Sequence, residues 1–140
     1  MKPKDYLQQI YITEKKIRRL QAYREQVRAD LYSVRSPADM NVDRVQTSLS
    51  GDTMLKLIAK VDRIERRLEK EVKNLTFKRD RIVRQIERMP DITEQEILYK
   101  RHVECKPWHT IALEMSISER HIYRLYGKAL NSFGSLYLRW

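Results

Sequence analysis

Trp108-His109-Thr110-Ile111-Ala112-Leu113-Glu114-Met115-Ser116-Ile117-Ser118-Glu119-Arg120-His121-Ile122-Tyr123-Arg124-Leu125 is the most informative stretch of this 140-residue chain. Ile111, Met115, Ile117, Ile122 and Leu125 fall where two short crossed helices need apolar side chains between them. Ala112 stands where the two backbones approach and only a small residue fits. Ser118 is a good N-cap for the second helix, with Glu119 well placed against that helix's positive end. At about 100° per residue, Ile122, Leu125 and Ala129 point one way, and Arg120, Tyr123, Arg124, Gly127 and Asn131 the other. A helix buried on one face and carrying Arg, Tyr and Asn on the other is equipped to read a major groove. The pattern predicts a helix-turn-helix whose DNA-binding residues are Ser118, Glu119, Arg120, His121, Tyr123, Arg124 and Lys128. The plainer alternative is a three-helix structural bundle with a solvated face. DNA is favoured because the full spacing and a basic stripe occur together. Ser116 holds the turn position that is often Gly, so either a left-handed serine or a different turn geometry is expected.

Upstream, Thr93-Glu94-Gln95-Glu96 reads as a capping box, with Ile92 and Ile97 placed to close a hydrophobic staple. A helix is expected from near Glu94 to about Glu104; Lys106-Pro107 then breaks the chain, and Pro107 or Trp108 starts the next helix. The string Ile97-Leu98, Arg101-His102, Trp108, Ile111-Ala112, Ile117-Ser118-Glu119-Arg120, Ile122 and Lys128-Ala129-Leu130 resembles region 4 of the bacterial sigma-70 family. That region is a helical domain that reads promoter elements, and the resemblance covers roughly the last third of the chain. The chain departs from it in three respects. Thr110 stands where sigma factors usually have Glu, Cys105 and Ser116 where Gly is usual, and the base-reading side chains differ. By position, Glu119, Arg120 and Arg124 fall where sigma factors contact bases, with His121 and Tyr123 alongside. The resemblance therefore implies a docking mode and not a promoter sequence.

The polar stretch Ser36-Pro37-Ala38-Asp39, continuing through Val42-Asp43-Arg44-Val45-Gln46-Thr47-Ser48, resembles a linker in small regulators from phages and prophages of Gram-positive bacteria. Those are late-gene transcriptional activators of the RinA- and ArpU-like type. They join a helical N-terminal region to a C-terminus similar to sigma region 4, which accounts for the chain from end to end.

The N-terminal part predicts two long helical arms. In the first, Leu7, Ile10, Ile17, Leu20, Val27 and Leu31 recur at helical spacing between about Lys4 and Tyr32. In the second, Met54, Val61, Leu68, Leu75, Ile82 and Met89 form an unbroken seven-residue repeat, with Leu57 or Ile58, Ile64, Val72 and Ile86 supplying the other seam. Asp52 is the expected N-cap of that arm, and Met89-Pro90-Asp91 ends it. The expected fold is all-α: residues 1–89 an antiparallel helical hairpin with arms about 4–32 and 53–89 and a loop 33–52, residues 90–140 the helix-turn-helix domain. Leftover apolar side chains such as Tyr11, Ile12, Leu55 and Phe77 offer a homodimer surface on the hairpin. The competing arrangement wraps the hairpin around the C-terminal domain within a monomer.

Three Gly, four Pro and 34% charged residues suit a small helical protein with few breakers. No apolar run approaches the ~18 residues of a membrane span, and no signal peptide is recognised. The single cysteine, Cys105, precludes an internal disulfide and fits a reducing compartment, so a cytoplasmic location is expected. His102, Cys105, His109 and His121 match no familiar zinc spacing, and there is no phosphate loop or nucleophile elbow. Neither a metal, a cofactor nor an enzymatic activity is expected.

The formal net charge of +10 is unevenly placed. Residues 1–33 carry 8 basic and 4 acidic groups and residues 60–90 carry 11 and 6, whereas residues 91–140 carry 7 and 6. Solvated arm faces explain part of this, since Asp62, Glu65, Glu69 and Glu71 can pair with Arg66, Lys70 and Lys73 at helical spacing. Diffuse attraction to a polyanion explains the excess, with Lys78, Arg79, Arg81, Arg84 and Arg88 expected to lead a basic rim toward the recognition helix. Three functions fit: a DNA-binding transcriptional regulator of phage or prophage origin, the DNA-recognition subunit of a phage packaging terminase, or a module that binds RNA polymerase without reading bases. Double-stranded DNA is the expected partner in the first two, RNA polymerase in the third. The target sequence, the sign of regulation and the oligomeric state are not encoded legibly.

Overall fold

A computed structural model describes residues 1–34 and 44–139. It is all-helical, 87% helix, with no strand among the described residues. The α-helices are α1 (Pro3–Leu7), α2 (Gln9–Val34), α3 (Arg44–Glu87), α4 (Ile92–Leu98), α5 (Trp108–Met115) and α6 (Glu119–Tyr137), and a π-helical turn, Tyr99–Val103, follows α4. Among the described residues, no helix is long and apolar enough to cross a membrane.

The second arm begins earlier than expected. Arg44 opens α3, so Asp52 lies inside the helix and caps nothing; its carboxylate pairs with Lys56 at 3.2 Å, one turn on. Ser33 and Val34 likewise belong to α2, and the expected loop shrinks to residues 35–43, which lie outside the described residues. With them go Ser36, Pro37, Ala38 and Asp39 of the linker motif, whereas Val45-Gln46-Thr47-Ser48 falls within α3. The end is as expected: α3 stops at Glu87, ahead of Pro90. The first arm has a break at Gln8 that periodicity did not reveal, where the chain passes from α1 to α2.

Two compact units result, Lys15–Lys73 and the combination of Met1–Glu14 with Asn74–Trp140. In the first, Ile17, Leu20, Val27, Ile64 and Leu68 are buried. Lys16 meets Glu71 at 3.0 Å and Arg28 meets Glu65 at 2.5 Å, so the α2 and α3 segments run antiparallel here. Val72, expected in the seam, is 46% exposed. Glu71 takes the inward position instead, its side chain only 16% exposed and held by Lys16. Glu71 lies seven residues after the buried Ile64, so the strict repeat itself brings it inward and leaves Val72 outside.

The second unit does not divide at residues 89 and 90. Its core joins Tyr6, Leu7, Ile10, Ile82, Ile86 and Met89 to Ile97, Leu98, Ile111, Ala112, Ile122, Ala129 and Phe133. Tyr6 stacks obliquely on Phe133 with ring centroids 5.8 Å apart, and its hydroxyl donates to Gln85 Oε1 at 2.7 Å. Tyr137 closes the same corner by donating to the Gln85 carbonyl at 2.7 Å.

The start of α4 also corrects the sequence. Asp91, not Thr93, is the N-cap, accepting from the Thr93 and Glu94 amides at 2.8 and 3.2 Å. Glu94 is buried and Ile92 is 77% exposed, so there is no staple from Ile92 to Ile97. Gln95 turns back to donate to the Met89 and Glu87 carbonyls, tying α4 to the end of α3.

Leu68 tests the packing of the smaller unit. Leu68→Asp removes a buried side chain and places an unpaired carboxylate in the apolar interior of this unit, costing on the order of 3 kcal/mol or more. Urea unfolding followed by circular dichroism checks this; an unchanged midpoint refutes the burial.

Candidate nucleic-acid interface

The turn between α5 and α6 is built on a left-handed residue. Ser116 has φ 55° and ψ 40°, the Ile117 amide donates to the Ala112 carbonyl at 3.0 Å, and the Ser116 amide to the Leu113 carbonyl at 3.2 Å. This pair of bonds is a Schellman motif, with the apolar Ile117 brought back over Ala112. Of the two geometries open for Ser116, the left-handed serine is therefore the one adopted. Cys105, the other position where sigma factors usually have Gly, is left-handed too, at φ 56°. It closes the π-helical turn, where the Glu104 amide donates to the Tyr99 carbonyl and the Lys106 amide to the Lys100 carbonyl, both at 3.0 Å.

Ser118 caps α6 as expected: its backbone is extended and its Oγ accepts from the His121 amide at 3.2 Å. Along α6, Ile122, Tyr126, Ala129, Phe133 and Gly134 are buried, with Leu125 partly so. Arg120, Tyr123, Arg124, Gly127, Lys128 and Asn131 are exposed. The two faces separate as the spacing demands.

The expected DNA-binding residues do not form one cluster. Ser118, Arg120, His121 and Arg124 line one shallow hollow of about 340 Å³. Within it Arg124 Nη2 donates to His121 Nδ1 at 2.8 Å, which requires that nitrogen to be unprotonated. Tyr123, Arg124 and Lys128 line a second hollow of about 420 Å³, and the far wall is Lys2, Pro3 and Lys4. Glu119 turns away, lining a third hollow with His109, Leu113 and Ile117. The sequence did not show that Lys2 and Lys4 would lie beside Lys128, since only the packing of α1 on α6 brings them there. The one available signal was Leu7 and Ile10 at helical spacing beside them.

Behind this face the aromatic residues form a stack. Trp108 meets Tyr126 edge-on at 4.6 Å and Tyr123 at 5.2 Å, and the Arg101 guanidinium covers the other part of the indole at 4.6 Å. Arg101 also donates to the Lys106 carbonyl at 3.0 Å, so it is a structural cation. The His102 ring is buried and shares a hydrogen bond of 2.8 Å between Nε2 and the Tyr126 hydroxyl. Burial holds the imidazole down at about 3, with the Arg101 and Lys4 cations adding to the effect. Burial likewise pushes the Tyr126 hydroxyl up to about 12, opposed by Arg101. Cys105 is half-buried beside Glu14; burial first, and the Glu14 carboxylate second, push its thiol up.

Other cations near this unit's surface are engaged. Lys100 and Lys106 both reach Glu114 at 2.8 Å, and Lys106 reaches Glu104 at 2.6 Å. Hydrogen bonds from both lysines hold the Glu114 carboxyl below its ordinary range. In the expected basic rim, Arg79 is paired with Glu14 at 2.6 Å and Arg81 lies over the Tyr6 ring at 5.9 Å, so only part of that rim is free. Among the described residues, no group of three or more His, Cys, Asp or Glu is placed to hold a metal ion.

No family model, no curated protein and no solved structure matches the chain.

The buried His102 sets a pH dependence. An unfolded histidine titrates near 6.5, whereas the folded ring stays neutral down to about 3. Between these values the unfolded chain takes up a proton that the folded chain refuses, so stability is full above about pH 6.5 and falls with acidification. From pH 7 to pH 5 this group alone removes about 2 kcal/mol. His102→Gln retains a hydrogen-bonding side chain and cannot titrate, so its stability falls by correspondingly less over the same interval. Urea unfolding at the two pH values measures the difference; equal losses in wild type and variant refute it.

Proposed function

We propose that the chain is a sequence-specific DNA-binding transcriptional regulator, a phage or prophage gene activator of the RinA- and ArpU-like type. In this proposal α5 and α6 are a helix-turn-helix similar to sigma region 4, and the α2 and α3 arms form a helical hairpin available for homodimerisation. The protein acts in the cytoplasm by binding, not by catalysis. The carrying observation is the division of α6: Ile122, Tyr126, Ala129 and Phe133 are buried while Arg120, Tyr123, Arg124 and Lys128 stand bare on the opposite side. The Schellman turn at Ser116 and the cap at Ser118 support it, because they fix the angle at which that bare face is presented.

The chemistry follows from the side chains. The first turns of a recognition helix meet base edges in the major groove, which admits one helix. Arg120 and Arg124 are one turn apart there, and a guanidinium fork matches guanine O6 and N7. His121 accepts from Arg124 and so orients that fork before DNA arrives. Tyr123, held against Trp108, offers a hydroxyl and a ring face at the same level. Lys128, one further turn along, reaches phosphate, a contact that positions without specifying.

Selection from a random duplex library, followed by salt titration on the selected and a scrambled duplex, tests this. Arg124→Ala costs about 1–3 kcal/mol on the selected duplex and relaxes preference at one base position. Lys128→Ala weakens both duplexes alike and lowers the salt slope by about one unit. Equal weakening of both duplexes by Arg124→Ala makes Arg124 a phosphate contact and removes the groove placement. If the wild type selects no sequence and binds no duplex at low salt, the regulator proposal is lost.

A further inference from the structure

We infer that the N-terminal segment completes the interface: Lys2 and Lys4, with Lys128 of α6, clamp the sugar-phosphate backbone of duplex DNA. The inference rests on the DNA-binding role proposed for α6 and extends it to residues more than a hundred positions away in sequence.

The hollow of about 420 Å³ between α1 and α6 is lined by four cationic residues, Lys2, Lys4, Arg124 and Lys128, and by no acidic one. None of the four takes part in a salt bridge among the described residues. Four unneutralised cations facing one groove call for a polyanion.

The two N-terminal lysines are anchored and do not belong to a loose tail. Their carbonyls accept from the Tyr6 and Gln8 amides at 3.1 and 2.9 Å, and Pro3, Tyr6 and Leu7 around them are buried. Ordering costs that a free basic arm would meet on binding are met here by folding.

The residue on the α6 side of the hollow is Gly127. Glycine in mid-helix weakens the helix, and a Cβ added at Gly127 would meet nothing in this chain within 4 Å. Packing within the protein does not explain it. A surface without side chain lets an occupant approach the helix backbone closely, as a phosphate strand does. The dimensions agree. Arg120 and Lys128 are eight residues apart, about 12 Å along the helix axis, so with the first turn of α6 at base edges Lys128 lies well beyond it, toward the phosphates. With the arginines in the groove, Lys128 stands at its edge, where the phosphates run, with Lys2 and Lys4 beside it.

The full chain and a fluorescent duplex of mixed sequence give the test. Lys2→Ala/Lys4→Ala lowers the slope of log affinity against log salt by about two units. The wild type's advantage therefore shrinks about tenfold between about 50 and 200 mM salt. The melting temperature stays unchanged, because both side chains are exposed. Arg67→Ala/Lys70→Ala removes the same net charge from exposed cations of α3 outside the hollow, in no salt bridge among the described residues, and serves as the comparison. Equal slope changes in the two double variants mean diffuse attraction and overturn the clamp. A wild-type slope in Lys2→Ala/Lys4→Ala overturns it while leaving α6 as the DNA-binding element. A wild type that binds no duplex overturns both. Gly127→Ala gives a second readout: the melting temperature rises and duplex binding weakens several-fold. A rise with unchanged or tighter binding removes DNA from this groove.

Discussion

Phe133 is fully buried where the two ends of the sequence meet, with the Tyr6 ring 5.8 Å away on one side and Tyr137 at 4.9 Å on the other. Much else in this unit depends on that contact. Phe133 belongs to the stripe of α6 that also carries Ile122, Tyr126 and Ala129, so its burial fixes which way the helix faces. Once that stripe is inward, Arg120, Arg124 and Lys128 are outward by helical geometry alone. The same contact holds α1 against α6 and so sets Lys2 and Lys4 beside Lys128. A single apolar corner thus positions cations from opposite ends of the chain.

The helical content and the division of α6 into two faces were legible because both are periodic properties of neighbouring residues. Of the stripe Leu7, Ile10, Ile17, Leu20, Val27 and Leu31, the first five are buried, as their spacing requires, and Leu31 is half-buried. Capping was less legible. Asp91 and Thr93 are both acceptable caps two residues apart, and the choice went to Asp91 because Glu94 is drawn inward and Ile92 left outside. Gly51 and Asp52 look like a helix start, yet a long helix absorbs both at modest cost, and Lys56 gives Asp52 a partner. The π-helical turn was not legible at all. It carries His102, which reaches Tyr126 across the core, a contact between residues 24 positions apart that no local pattern shows. The N-terminal wall of the hollow beside α6 was hidden for the same reason, since no local pattern relates Lys2 to Lys128.

Charge counting alone gave a misleading picture of where positive potential is available. Residues 91–140 are nearly neutral on paper, and the excess lies earlier in the chain. The structure shows that a cation's position matters less than whether it is already matched. Lys100 and Lys106 are taken up by Glu114 and Glu104, Arg79 by Glu14, and Arg101 by the Trp108 face. These pairs join elements of the fold and leave little field for a ligand. Arg120, Arg124 and Lys128 have no carboxylate within reach among the described residues, so their charge remains directed at solvent. Unmatched cations on one exposed face repel each other, a cost that a folded chain keeps only weakly screened at low salt. A polyanion laid along that face removes the repulsion and releases its own counterions at once. The acidic residue nearest the turn, Glu119, is directed to the opposite side of the α5–α6 junction, with His109 and Leu113. The junction therefore separates its charges: anion toward one hollow, cations toward the others, as a surface must if it is to meet phosphate without first losing a carboxylate.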